Sequence, residues 1–346
     1  MRLHEGIRGM PNETLKYPFL SGKATTMPEK VVKLPPPDRD ADTDPATYLL
    51  DGELLNAVNV ALLLGQPLLV TGEPGTGKTQ LAHRIAWELG YSDRALVFNT
   101  KSTSTARDLL YTFDVMGHFH SPHIPGASKE ARDYLRFGAL GQAIVHSLKL
   151  EQVRSLLRLQ EAEEYRGPRR SVVLIDEIDK APRDFPNDLL HEIDAMKFRA
   201  PELTEHEIAA DPALRPVVVI TSNSERNLPD AFLRRCVFYH IEFPEARLAE
   251  IVRRHLPTFE QTGDPLLKSA IDFLLQLRSK NLEKKPSTAE LINWLQVLLA
   301  DGAALDRELR DSPMPLRHSL GTLSKSIGDW ENVVRYVEQY LKSPRS

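Results

Sequence analysis

The run Pro67-Leu68-Leu69-Val70-Thr71-Gly72-Glu73-Pro74-Gly75-Thr76-Gly77-Lys78-Thr79-Gln80 decides how this chain is read. From Gly72 to Thr79 it matches the pattern Gly-x-x-x-x-Gly-Lys-Ser/Thr in full. A short apolar run stands before the match, and Thr79 to Leu89 continues at helical spacing. That is the strand, loop and helix setting the pattern requires. Glycines let successive backbone N–H groups turn inward without a Cβ in the way, and the N-terminus of the following helix adds partial positive charge. Such a loop cradles phosphate oxygens. Gly72, Glu73, Pro74, Gly75, Thr76, Gly77, Lys78, Thr79 and Gln80 are therefore the candidate nucleotide-binding residues. Lys78 would neutralise the β- and γ-phosphates, and the Thr79 hydroxyl would ligate Mg²⁺.

Two further stretches complete the chemistry. Val172-Val173-Leu174-Ile175-Asp176-Glu177 is an apolar strand ending in two carboxylates. Open α/β sheets bind ligands at the C-terminal edge of their strands, which is where these carboxylates would lie. Asp176 would hold Mg²⁺ directly or through water, and Glu177 would orient and polarise an attacking water. Alone, such an ending is common and usually means solvated carboxylates; the phosphate loop upstream makes it specific. Val217-Val218-Val219-Ile220-Thr221-Ser222-Asn223 is another buried strand, and Asn223 at its end could reach the γ-phosphate. The competing role for Asn223 is that of a turn former at a strand end. Arg234 and Arg235 follow, and an arginine that reaches a nucleotide stabilises charge on the transferring phosphoryl group. At least one of the two is expected to make only a surface ion pair.

Working outward, Ala95 to Phe98 and Val237 to Ile241 add two more β-branched or aromatic runs of strand length. Short continuous apolar runs separated by helical stretches predict a parallel sheet covered on both faces. After Phe243-Pro244-Glu245 the strands stop. Arg247 to Arg254, Leu266 to Arg278, Ala289 to Leu299 and Trp330 to Leu341 carry apolar residues at helical spacing. The expected division is an extended Pro/Asp-rich arm over 1–45, an α/β nucleotide-binding domain over 46–245 and a helical domain over 246–346. The arm is read as a solvated tail ahead of a strap laid on a neighbouring subunit.

Composition narrows the class. The 346 residues hold 44 Lys+Arg against 48 Asp+Glu, a net charge of −4 that gives a nucleic-acid partner no whole-chain support. With 41% hydrophobic and 27% charged residues the chain can bury a core. No apolar run approaches the roughly 18 residues of a membrane span, and the N-terminus lacks a signal-peptide core. A cytoplasmic location is the expectation. The single cysteine, Cys236, excludes an intrachain disulfide and a cysteine-based zinc site. His118, His120 and His123 lack carboxylate or cysteine support and are read as loop histidines rather than zinc ligands. Phe113, Met116 and Phe119 stand between small and polar residues in the same stretch, a spacing that a packed loop also gives.

The order of phosphate loop, Asp-Glu strand, Thr-Ser-Asn strand, paired arginines and helical end resembles an AAA+ ATPase. The segment between Ala95 and His146, the Leu189-Leu190-His191-Glu192 helix and the two strands Pro67–Gly72 and Pro216–Asn223 are similar to the MoxR-like branch. The resemblance runs from about Ala46 to Leu341. It implies a P-loop AAA+ α/β module with a parallel sheet between helices, followed by a small all-helical lid. It also implies a homo-oligomer, commonly a hexamer, that binds ATP and Mg²⁺ between subunits and remodels a protein partner in chaperone-like fashion. The implied partner carries a von Willebrand factor A-type domain. Lys78, Thr79, Asp176, Glu177 and Asn223 match the Walker A, Walker B and sensor 1 positions. Arg234 and Arg235 match the region of the arginine finger that acts on a neighbour's ATP, with Arg235 favoured. One departure stands in the lid: Lys284-Lys285-Pro286-Ser287 occupies the place of a sensor 2 arginine. Lys285 could substitute, but as a point charge without a bidentate fork. That departure favours a rival reading, a nucleotide-gated scaffold with weak hydrolysis, while the intact Glu177 opposes it. A DNA-acting AAA+ motor is the second rival.

Overall fold

Five of the apolar runs become one parallel sheet. In chain order the strands are β1 (Leu68–Gly72), β2 (Leu96–Asn99), β3 (Tyr111–Phe113), β4 (Leu135–Phe137), β5 (Val172–Asp176), β6 (Lys197–Arg199), β7 (Glu207–Ala209), β8 (Val217–Ser222) and β9 (Val237–Ile241). The sheet has the order β2-β5-β8-β1-β9, every neighbour parallel, with Leu69 opposite Ile220 and Phe238, and Val173 opposite Val218. The computed structural model describes residues 19–20, 33–34, 44–91, 94–120, 130–224, 228–259 and 264–343. Most of the expected arm, His123 and the side chain of His120 lie outside the described residues.

The central strands β1, β5 and β8 read as continuous apolar runs because both faces are covered there, whereas the edge strands β2 and β9 alternate and leave Val97 and Phe238 exposed. Alternate residues of one strand enter different cores. Leu68 and Val70 pack with Leu54, Val58, Leu81, Ile85 and Leu174, whereas Leu69 packs with Ile144, Ile175, Leu189, Ile220 and Phe232. Each fully buried Leu or Ile contributes about 1.5–3 kcal/mol relative to exposure, so the two cores fix the register in which the strand ends meet. The helix Gly52–Leu64 starts where the Asp51 side chain accepts from Leu54 N–H at 2.7 Å, and stops at Gly65, whose φ is 64°.

β3 with β4, and β6 with β7, form two antiparallel hairpins of three residues per strand that the periodicity does not predict. The helix Val115–His120 lies between β3 and β4 in sequence. Met116 and Phe119 are exposed, and the His118 ring packs edge-on to Tyr134 at 5.3 Å.

The described residues divide into two compact units, Tyr48–Glu242 and the described parts of Phe243–Ser346 with Met1–Thr47. The second unit is helical: Leu248–His255, Pro265–Arg278, Thr288–Ala300, Pro313–His318, Leu320–Leu323 and Ile327–Lys342. They close on Phe273, Trp294, Leu295 and Val333, and the Trp294 indole N–H donates to Ser319 Oγ at 2.8 Å. Ser287 and Glu290 form a capping box at the start of Thr288–Ala300, satisfying N–H groups that a helix end leaves open. Among the described residues no helix is long and apolar enough to cross a membrane.

Candidate nucleotide site

The sheet order explains why residues far apart in sequence meet. β8 lies between β1 and β5, so the C-terminal ends of these three strands are consecutive along one edge. The loop after β1 delivers Lys78, the end of β5 delivers Asp176 and Glu177, and the residue after β8 is Asn223.

The loop's shape depends on glycine at two places. Gly77, at φ 87°, is the N-cap of the helix Lys78–Glu88, and a Cβ there would stand 2.9 Å from Tyr48 Cε2. A Cβ on Gly72 would stand 2.6 Å from the Ile241 backbone oxygen. Both positions therefore need glycine on grounds of space as well as dihedral preference. The Thr76 hydroxyl donates to Glu73 O at 2.8 Å and closes the loop on itself.

Lys78 is buried, and its ammonium donates to Gly72 O at 2.9 Å, Glu73 O at 3.0 Å and Asn223 Oδ1 at 3.0 Å. Those three acceptors use all of its donors. Burial lowers its pKa below the usual lysine value, and the charges of Asp176, Asp179, Glu177 and Glu73 oppose that shift. Thr79 Oγ1 is 3.1 and 3.2 Å from the two Asp176 carboxylate oxygens. Lys78 is thus hydrogen-bonded to Asn223, and Thr79 to Asp176, in two pairs at the same sheet edge. A hydroxyl and a carboxylate converging as hard oxygen donors fit Mg²⁺ chemistry.

Glu177 follows Asp176 in the left-handed region, at φ 56°, and its carboxylate pairs with the Lys180 ammonium. That hydrogen bond raises the Lys180 pKa. Asp179 Oδ1 accepts from Asn223 N–H at 3.1 Å and from Ser222 Oγ at 3.2 Å, and so ties the residues after β5 to the end of β8. Thr221 Oγ1 sits 2.6 Å from Asp176 Oδ1 and accepts from Glu177 N–H at 2.8 Å. The motif reading did not single out Thr221, Asp179 or Lys180. The only signal was the clustering of hydroxyls and carboxylates at strand ends, which is informative once β5 and β8 are known to be neighbours.

Arg234 and Arg235 are exposed between the short helix Asp230–Leu233 and β9. Among the described residues no hydrogen bond or ion pair joins them to the Lys78 cluster. Lys285 is exposed in the second unit, in the loop before Thr288–Ala300. Asp329 accepts from Glu283 and Lys284 N–H groups at 2.8 and 3.0 Å and holds that loop.

Residues 68–245, just over half of the chain, match the family described as ATPase family associated with various cellular activities (AAA). The chain belongs to the AAA family. ATP hydrolysis is the general property of AAA members. Among solved structures the S. cerevisiae Hsp104-ADP complex matches at 16% identity and a TM-score of 0.41, covering 74% of this chain and 47% of that one. This AAA chain therefore spans about half the length of that structure, and the likeness is too loose to bear on activity or assembly. A search of curated proteins finds no match.

Proposed function

We propose that this AAA protein hydrolyses ATP with Mg²⁺ as a homo-oligomer of the MoxR-like branch, and uses the cycle to remodel a protein partner. The observation that carries the reading is the convergence at one sheet edge: Lys78 Nζ lies 3.0 Å from Asn223 Oδ1, and Thr79 Oγ1 lies 3.1 Å from Asp176 Oδ1. Gly72 to Gln80 wrap the phosphates, and Lys78 neutralises the β- and γ-oxygens. Thr79 and Asp176 would hold Mg²⁺, which would supply charge neutralisation at the phosphates. Glu177 orients and polarises the attacking water, with Asn223 beside it.

The arginine that completes the site comes from a neighbouring subunit, and Arg235 is assigned that role ahead of Arg234. Lys285 stands in for a sensor 2 arginine in a lid over 246–346, which follows a nucleotide module over 46–245 along the chain. By the MoxR-like resemblance the assembly is a hexamer and the client carries a von Willebrand factor A-type domain. Solution mass with and without ATP and Mg²⁺, together with phosphate release, tests the reading. A chain that stays monomeric in both conditions removes the assignment of Arg235 to a neighbour's site. Assembly without phosphate release replaces the motor with a nucleotide-gated scaffold.

A further inference from the structure

Thr221 is fully buried at the end of β8, and its hydroxyl touches two successive residues after the paired stretch of β5. The partners fix the direction of each bond. An N–H can only donate, so the hydroxyl accepts from Glu177 N–H at 2.8 Å, and its single proton goes to Asp176 Oδ1 at 2.6 Å. Asp176 Oδ1 is also the oxygen 3.1 Å from Thr79 Oγ1, so the carboxylate is gripped from β8 and from the phosphate loop together.

The second bond bears on an unusual backbone. Glu177 and Met196 are the two non-glycine residues with positive φ among those described. A left-handed conformation is uphill for a side chain of glutamate's kind and persists only where surrounding contacts hold it. At Glu177 those contacts are the Thr221 hydroxyl on its N–H and Lys180 N–H on its C=O, the latter at 2.9 Å. The strand ends at Asp176, the chain reverses at Glu177, and the 3₁₀ turn Ile178–Lys180 begins.

We infer that Thr221 is the positioning residue of this site: its proton orients the Asp176 carboxylate, and its oxygen pins the backbone from which the Glu177 side chain departs. One buried hydroxyl thus ties the Asp176 carboxylate to the Glu177 backbone. The inference rests on the hydrolytic reading for its consequence, and on the two hydrogen bonds for its geometry. Valine at 221 keeps the volume and branching but strips both bonds, leaving the Glu177 amide and a carboxylate oxygen of Asp176 without that partner. Serine keeps the hydroxyl and drops one methyl.

The test compares the full-length wild type with Thr221→Val and Thr221→Ser. It reads kcat and KM for ATP, and the hydrogen exchange rate of the Glu177 amide. Supporting contacts around ligating residues typically change activity by 10–100-fold, so Thr221→Val is expected to lower kcat by roughly that factor. KM for ATP stays within about threefold, because Lys78 and the loop are untouched. The Glu177 amide exchanges at least about tenfold faster in Thr221→Val, since its partner is gone. Thr221→Ser stays near wild type in both. Thr221→Cys, of similar size and with a weak donor, takes the place of valine if that variant does not fold, and falls between the two. Wild-type kcat and amide protection in Thr221→Val overturn the inference, as does a serine variant as impaired as valine, which would mark a packing role. If the wild type binds ATP but releases no phosphate, the hydrolytic reading fails by itself. Thr221 is then judged on the Glu177 amide alone, and unchanged exchange in Thr221→Val overturns it.

Discussion

Replacing Gly77 by alanine tests whether the site depends on the shape of the loop as well as its charged residues. Gly77 caps the helix Lys78–Glu88 at φ 87°. There an alanine is disfavoured by about 1–2 kcal/mol, because its Cβ crowds the following carbonyl. The same Cβ stands 2.9 Å from Tyr48 Cε2, inside the distance at which carbons attract. Overpacking of this kind costs about 1–3 kcal/mol. Together the two effects amount to about 2–5 kcal/mol, and only the second depends on Tyr48. Urea unfolding of Gly77→Ala, Tyr48→Ala and the double variant closes a cycle that separates them. Gly77→Ala is expected to lose at least about 2 kcal/mol, and the Tyr48→Ala background to recover the overpacking share of about 1–3 kcal/mol. ATP affinity falls in Gly77→Ala and stays low in the double variant, because the backbone requirement remains. A loss under about 0.5 kcal/mol, or a cycle additive to within that error, would refute the reasoning.

Two other predictions concern protons and neighbours. Burial, with Arg169 adding to it, pushes the His146 imidazole down from 6.5 to about 4, and its Nε2 accepts from Arg169 at 3.0 Å. Between those values the unfolded chain binds a proton that the folded chain does not. The stability is therefore complete above about pH 6.5, is lost as pH falls towards 4, and the loss reaches about 2 kcal/mol by pH 5. Urea unfolding of wild type and His146→Gln across this range checks it, and an identical pH slope in the two proteins contradicts it. For the arginines, Arg235→Ala subunits and Lys78→Met subunits are each expected to be inactive alone. Mixing them restores part of the phosphate release, because some interfaces then combine an intact loop with an intact arginine. No recovery with Arg235→Ala, but recovery with Arg234→Ala, moves the role to Arg234.

Much of this architecture is legible residue by residue. The central strands β1, β5 and β8 announce themselves as apolar runs, because burial on both faces leaves no place for alternation. Lys78, Thr79, Asp176 and Asn223 are readable because each stands beside a strand or loop whose type fixes its position. The hairpins Tyr111–Phe113 with Leu135–Phe137, and Lys197–Arg199 with Glu207–Ala209, are not, since three residues are too few to show a period. Thr221 and Asp179 escape for another reason. Their roles exist only across the β5–β8 pairing, and nothing in either segment says which strand will lie alongside. The left-handed backbone at Glu177 is equally silent, because glutamate is not a residue that signals positive φ.

The central claim is that the edge formed by β1, β5 and β8 binds ATP and hydrolyses it through Glu177. The most direct measurement pairs ATP binding with steady-state phosphate release, in Mg²⁺, for wild type and Glu177→Gln. The glutamine variant should bind ATP about as tightly as wild type, since Gly72 to Thr79 and Asp176 are intact. Its phosphate release should fall by roughly 10²–10⁴-fold, the range that general-base loss commonly costs. Equal phosphate release by the two proteins, with ATP bound by both, would contradict the account.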